Sequence, residues 1–234
     1  MPDDLEQLQR HFNEEFASAA HAFFLWKGIN NYAVSDRSVY RGINENALSW
    51  NIITHSLQTT FFIVLGSLFD TDGGVFSAHT FLRKCIDNID QFNQQALRNR
   101  KLAASGGASP PWLDQYIREA YVPTVADFRR LRGELSRHQA KYIEIYRPIR
   151  NQIYAHRDID TLADVNSLFA RTRIADVEEL LGFLYQLKEV VWQLMHNGRL
   201  HGLGDFTFAE EEFVLVDARE MLDRLRIPEE PDVV

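Results

Sequence analysis

The sequence predicts a single, nearly all-α domain: an antiparallel bundle of about five main helices, with a possible small C-terminal hairpin. Three observations carry that expectation. Apolar residues recur at helical spacing through most of the 234 residues, no internal repeat or βαβ alternation interrupts them, and a 45% hydrophobic content suffices for one core of ordinary domain size. Residues 1–234 are therefore expected to form one domain.

The elements follow in order. Leu5, Leu8, Phe12, Phe16, Ala19 and Phe23 form a helical stripe that runs out near Gly28. From Asn46 a second stripe, Trp50, Ile53, Leu57, Phe61, Val64 and Leu68, ends in the turn-like run Asp70-Thr71-Asp72-Gly73-Gly74. Ser77 can cap a third helix whose face reads Leu82, Cys85, Ile86, Ile89 and Phe92. The stretch from Ala103 to Pro111 has the Gly/Ser/Pro composition of a loop. After Pro123, the residues Phe128, Leu131, Leu135, Tyr142, Ile145, Ile149 and Ile153 mark a long fourth helix, interrupted in pattern by Gly133 and Pro148. Ile174, Val177, Leu181, Leu184, Val191 and Leu194 give a fifth helix, stopped at Gly198, and Phe206 to Val216 is expected to form the hairpin.

Composition narrows the function classes. The single cysteine, Cys85, cannot form an internal disulfide, and the start Met1-Pro2-Asp3-Asp4 lacks the regions of a secretion signal, so a cytoplasmic setting is expected. The longest apolar stretch, around Phe61 to Phe69, is far shorter than the ~20 residues that span a bilayer. A net charge of −8 argues against nucleic acid wrapped over the whole surface, but one segment opposes the average. Between Arg129 and Arg157 lie Arg129, Arg130, Arg132, Arg137, Lys141, Arg147, Arg150 and Arg157, against only Glu134 and Glu144, a local net charge of +6.

Eight histidines invite a metal reading, yet no His-Glu-x-x-His or Glu-x-x-His pairing occurs and Cys85 has no partner, so no metal and no cofactor is expected. His156-Arg157-Asp158 copies a protein-kinase tripeptide without the glycine-rich loop or the Asp-Phe-Gly that would give it meaning.

What remains is the run Arg150-Asn151-Gln152-Ile153-Tyr154-Ala155-His156. It resembles the signature of the HEPN superfamily, small α-helical domains in which an arginine, usually followed by Asn, Asp or His, precedes a histidine by a few residues. The resemblance extends from Trp50 through Leu68-Phe69-Asp70 to Ala155-His156-Arg157-Asp158 and is closest to the branch linked to phage abortive infection. A second arginine–histidine spacing, Arg132 to His138, has Gly133 in the polar slot that Asn151 fills in the first, and His138 falls on the apolar stripe, as a partly buried core histidine does.

The resemblance implies a metal-independent endoribonuclease of a phage-defence or toxin type, with Arg150, Asn151 and His156 in the catalytic site and Arg147 and Arg157 binding RNA. The residue types suit the chemistry. Attack by the 2′-hydroxyl needs a base, which a neutral His156 can supply, and positive charge at the phosphate, which the planar fork of Arg150 matches. Arg150 and Arg157 push the His156 pKa downward, and Asn151 orients substrate or imidazole. If the helix restarts after Pro148, Arg150 would lie in a first turn that favours anions. On a regular α-helix, six residues separate Arg150 from His156 by about 240° and roughly 9 Å, so one chain makes a poor site. HEPN ribonucleases join two copies across a cleft, which implies a homodimer here. The tyrosine that receives a nucleotide in HEPN toxins with a nucleotidyltransferase antitoxin is replaced by Asp158, which can hold His156 or pair with Arg157. Any antitoxin or regulatory partner stays unnamed. The alternative is a HEPN-like module that dimerises and binds RNA or protein without cutting.

Overall fold

The computed structural model describes residues 5–71, 74–155 and 170–227, and all regular structure among them is helical. The first helix, α1 (Leu5–Ser35), buries Leu5, Phe12, Phe16, Ala19 and Phe23 on the expected stripe. It does not stop near Gly28. A Cβ on that glycine would sit 3.0 Å from the Ala218 Cβ, so the missing side chain marks where a second helix crosses closely, and α1 continues for two more turns.

A short helix that the apolar pattern does not announce, α2 (Arg37–Glu45), follows under an Asp36 cap that accepts from the N–H groups of Ser38 and Val39. Next comes α3 (Ala47–Leu68), the expected second stripe. It enters the core only from Phe61 onward; its first half exposes Leu48 (76%) and Ile52 (58%). Ser77 caps α4 (Ala78–Asp87) as expected, through a reciprocal pair in which the Thr80 N–H donates to the Ser77 hydroxyl and the Ser77 N–H to that of Thr80. Around the predicted loop lie two further helices, α5 (Gln94–Ala104) and α6 (Leu113–Glu119), which share a small cluster of Leu97, Leu113 and Ile117.

The fourth predicted helix begins as α7 (Val125–Lys141) and runs on to Ala155 through a π turn at Tyr142–Tyr146, one α turn at Arg147–Ile149 (α8) and a second π turn at Arg150–Ala155. The fifth, α9 (Ile174–Trp192), passes through a π turn and ends at Gly198 in the left-handed conformation, where the sequence placed its stop. The predicted hairpin over residues 206–216 is not formed. Glu210–Asp223 is a helix, α10, whose Leu215 and Ala218 close on Gly28 while Leu222 packs with Ile29 and Val39. Phe208, just before the helix, packs its ring against Phe16, Phe24 and Tyr185.

Helix α1 forms the centre, touching α2, α3, α4, α9 and α10. Aromatic pairs fix how α3 meets the segment after α7: Phe69 stacks on Tyr142, Phe62 on Tyr154, and His55 lies 5.9 Å from the Tyr154 ring. The two helices therefore run antiparallel, as predicted, and the C-terminal end of α3 faces the start of the π-helical segment.

Candidate functional site

The π turns have a local cause. Pro148 has no N–H, so the carbonyl of Glu144 cannot receive its usual α-helical bond. The Arg171 guanidinium lies 3.5 Å from that carbonyl oxygen and donates to it instead. Around the gap the chain widens: the Arg147 N–H reaches back five residues to Tyr142, as in a π turn, and the Arg150 N–H bonds to the Arg147 carbonyl. The helical path runs on through Pro148, and the N–H groups of Arg147 and Arg150 are both engaged, so neither is free to meet an anion. The widened segment is anchored by Tyr146, fully buried, whose hydroxyl donates to the Arg173 carbonyl at 3.0 Å.

Arg150 is half-buried and directed at α3. Its Nε and the Tyr142 hydroxyl are both shielded from solvent and have no hydrogen-bond partner among the described residues. Both converge on Gly66. A Cβ there would lie 2.6 Å from the Tyr142 oxygen and 2.7 and 2.8 Å from Cδ and Nε of Arg150, so only glycine leaves room for them. Beside them is a recess of about 20 Å³ lined also by Phe69, Asp70, Thr71, Gln139, Ile143 and Arg147. The Gln139 amide donates to the Phe69 carbonyl at 2.8 Å, which ties α7 to the end of α3. Burial first, and the Asp70 carboxylate after it, push the Tyr142 phenol up to about 12, although Arg150 and Arg147 pull the other way. Tyr142 is therefore a neutral O–H donor near pH 7.

Of the predicted site residues, Arg150 and Asn151 are adjacent and half-buried, with the Asn151 Oδ1 3.5 Å from an Arg150 terminal nitrogen, at the edge of a hydrogen bond. Arg147 is exposed at the recess. His156, Arg157 and Asp158 lie outside the described residues. The 240° separation assumed a regular α-helix, and Arg150–Ala155 is π-helical, so that angle no longer measures how far His156 stands from Arg150. The competing pair behaves as the sequence suggested: His138 stacks on Phe183 at 3.9 Å and its Nδ1 meets the Glu134 carbonyl at 3.0 Å, a structural position.

The basic segment is less uniform than its sequence. Arg137 is held by Glu134, and Lys141 by Asp176 and Glu179, whereas Arg129, Arg132, Arg147 and Arg150 have no ion pair among the described residues. Tyr142, Gly66 and Gln139 are the site residues that sequence reasoning missed; Tyr142 reads as one more apolar stripe position, and Gly66 as a gap in one. No group of three His, Cys, Asp or Glu among the described residues could hold a metal ion, and no described helix is long and apolar enough to cross a membrane.

The family model HEPN_AbiU2, described as AbiU2, matches residues 3–216, nearly the whole chain. The chain belongs to the HEPN_AbiU2 family. No curated protein and no solved structure matches it. The match covers both α3 and the π-helical segment, so the Gly66–Tyr142–Arg150 arrangement lies wholly inside the HEPN_AbiU2 domain.

Proposed function

We propose that the protein is a metal-independent endoribonuclease of a phage-defence or toxin type, working as a homodimer, with Arg150, Asn151 and His156 at the reacting phosphate and Arg147 and Arg157 binding RNA. The observation that carries this reading is the setting of Arg150: a partly desolvated guanidinium, set beside Gly66 and Tyr142, at a recess flanked by an exposed arginine with no ion pair among the described residues, in a HEPN_AbiU2 chain. Positive charge held in a place that water reaches poorly acts strongly on a phosphate whose charge rises in the transition state. The 2′-oxygen attacks phosphorus, the bond to the 5′-oxygen breaks, and a 2′,3′-cyclic phosphate and a 5′-hydroxyl result. His156 takes the 2′-hydroxyl proton, and the departing 5′-oxygen is protonated by an acid or water.

The second copy is supported by the first half of α3, where Leu48 and Ile52 are exposed one turn apart, on the helix whose other end reaches Arg150. The test is purified protein with single-stranded RNA in excess EDTA. Cleavage leaving 2′,3′-cyclic phosphate ends, lost in folded Arg150→Ala and His156→Ala proteins, is expected. RNA that is bound but never cut, under conditions where the protein is folded, would replace the enzyme with a binding module.

A further inference from the structure

Tyr142 has no role in the reading above, and its hydroxyl is hard to explain as packing. Its ring is buried, 3% exposed, and stacks on Phe69, for which a phenylalanine would serve equally well. Instead the chain buries an O–H that has no partner among the described residues, which is unfavourable, and brings the Nε–H of Arg150, likewise unpartnered among them, to the same glycine. Both donors belong to side chains that line one recess beside Gly66, where a single acceptor oxygen can be offered to the two of them. The adjoining recess, about 20 Å³, admits one oxygen-sized atom and not a whole phosphate. Its mouth carries Arg147 and Ile143, both exposed and free to swing aside. Asp70 also stands on the rim, but two guanidinium groups against one carboxylate leave the recess net positive.

We propose that the Tyr142 hydroxyl and the Arg150 Nε form a two-donor seat for one non-bridging oxygen of a phosphate group, with Arg147 holding the rest of that group at the mouth. Because Tyr142 keeps its proton near neutral pH, the seat accepts an oxyanion and rejects a cation. On the ribonuclease reading, on which this identification of the ligand rests, the phosphate is a diester of the RNA strand. Tyr142 is then a substrate-binding residue that also fixes the direction of the Arg150 fork.

Inorganic phosphate probes the seat without any RNA chemistry, and a single-stranded 2′-deoxy oligonucleotide, which cannot be cut by 2′-hydroxyl attack, probes the diester. Wild-type protein should gain thermal stability in phosphate over chloride at equal ionic strength, and Tyr142→Phe, which keeps the ring and its stacking, should lose that gain. The same substitution should weaken oligonucleotide binding about ten- to hundredfold, as loss of a bond to a charged acceptor does. Arg147→Ala should flatten the log–log salt slope of that binding by about 0.7. Phosphate stabilisation without oligonucleotide binding would assign the seat to a free phosphate compound and overturn the diester. Equal phosphate response and equal binding in wild type and a folded Tyr142→Phe protein would overturn the seat itself, leaving the recess to water. If the seat is lost in Tyr142→Phe but wild type never cuts RNA, the binding site stands and the ribonuclease reading falls. If wild type cuts RNA and Tyr142→Phe cuts and binds it equally well, the reverse holds.

Discussion

On the ribonuclease reading, replacing Gly66 by alanine should separate the stability of this protein from its activity. The new methyl would lie 2.6 Å from the Tyr142 oxygen and 2.7 Å from the Arg150 Cδ, whereas comfortable contact begins near ~3.5 Å. Something must move by about 0.8 Å. The 2.6 Å contact is relieved only by a shift of the Tyr142 ring or of α3, which the stacking of Tyr142 on Phe69 resists, while the longer and more adaptable Arg150 side chain yields at the 2.7 Å contact. Overpacking of this kind costs about 1–3 kcal/mol, and the better helix propensity of alanine inside α3 returns up to about 1 kcal/mol. The net loss of about 0–3 kcal/mol lowers Tm by no more than about 12 °C for a chain of this size. Catalysis is far less tolerant, since a displacement near 1 Å at the reacting groups can cost about a hundredfold. Differential scanning fluorimetry and gel-resolved cleavage of labelled RNA measure the two quantities on one preparation. A folded Gly66→Ala protein that cuts RNA within about twofold of wild type would refute the claim that this contact fixes a catalytic Arg150.

Other expectations are simpler to state. His79 and His196 both have pKa values lowered, by burial first, with Arg132 adding to it at His79 and Arg100 at His196, while Glu6 opposes it at His196. Their folded forms resist protonation, so the stability they contribute is present above the ordinary histidine pKa of 6.5 and is lost as pH falls below it. Urea unfolding between pH 7 and 5 should show that loss, and His196→Gln should reduce it; an unchanged profile would contradict the assignment. Leu48→Glu with Ile52→Glu should convert a dimer into a monomer in light scattering without lowering Tm, because both side chains are exposed. His138→Ala should destabilise by roughly 0.5–1.5 kcal/mol through loss of its stack on Phe183, yet leave cleavage per folded molecule unchanged.

The sequence exposed those helices whose apolar stripe is long enough to recur several times: α1, α3, α4, α7 and α9. It concealed α2, where burial rests on Val39 and a glycine, and α5 and α6, whose short faces supply only Leu97, Leu113 and Ile117. The C-terminal error lay in expecting a hairpin over residues 206–216, although Leu215, Ala218 and Leu222 have helical spacing. At the candidate site, the motif singled out Arg150 and local charge singled out Arg147, and the structure sets both side chains on one recess. Gly66 and Tyr142 were not singled out, because their significance lies in a contact between elements 76 residues apart in sequence, and each alone looks like ordinary core.

The two π turns also act as a counting device. Each carries about one residue more per turn than the α-helix around it. Deleting a single residue between 142 and 146 would let the chain relax into an ordinary α turn that sweeps nearly the same angle, whereas deleting one from the regular helix α7 before it would rotate everything beyond by about 100°. Arg150 would then leave Gly66 while its motif stayed intact in the sequence. Among relatives, the length of this stretch is therefore as informative as the letters in it: a chain that carries the arginine and histidine but is one residue shorter in α7, with the π turns kept, would present that arginine to a different neighbour.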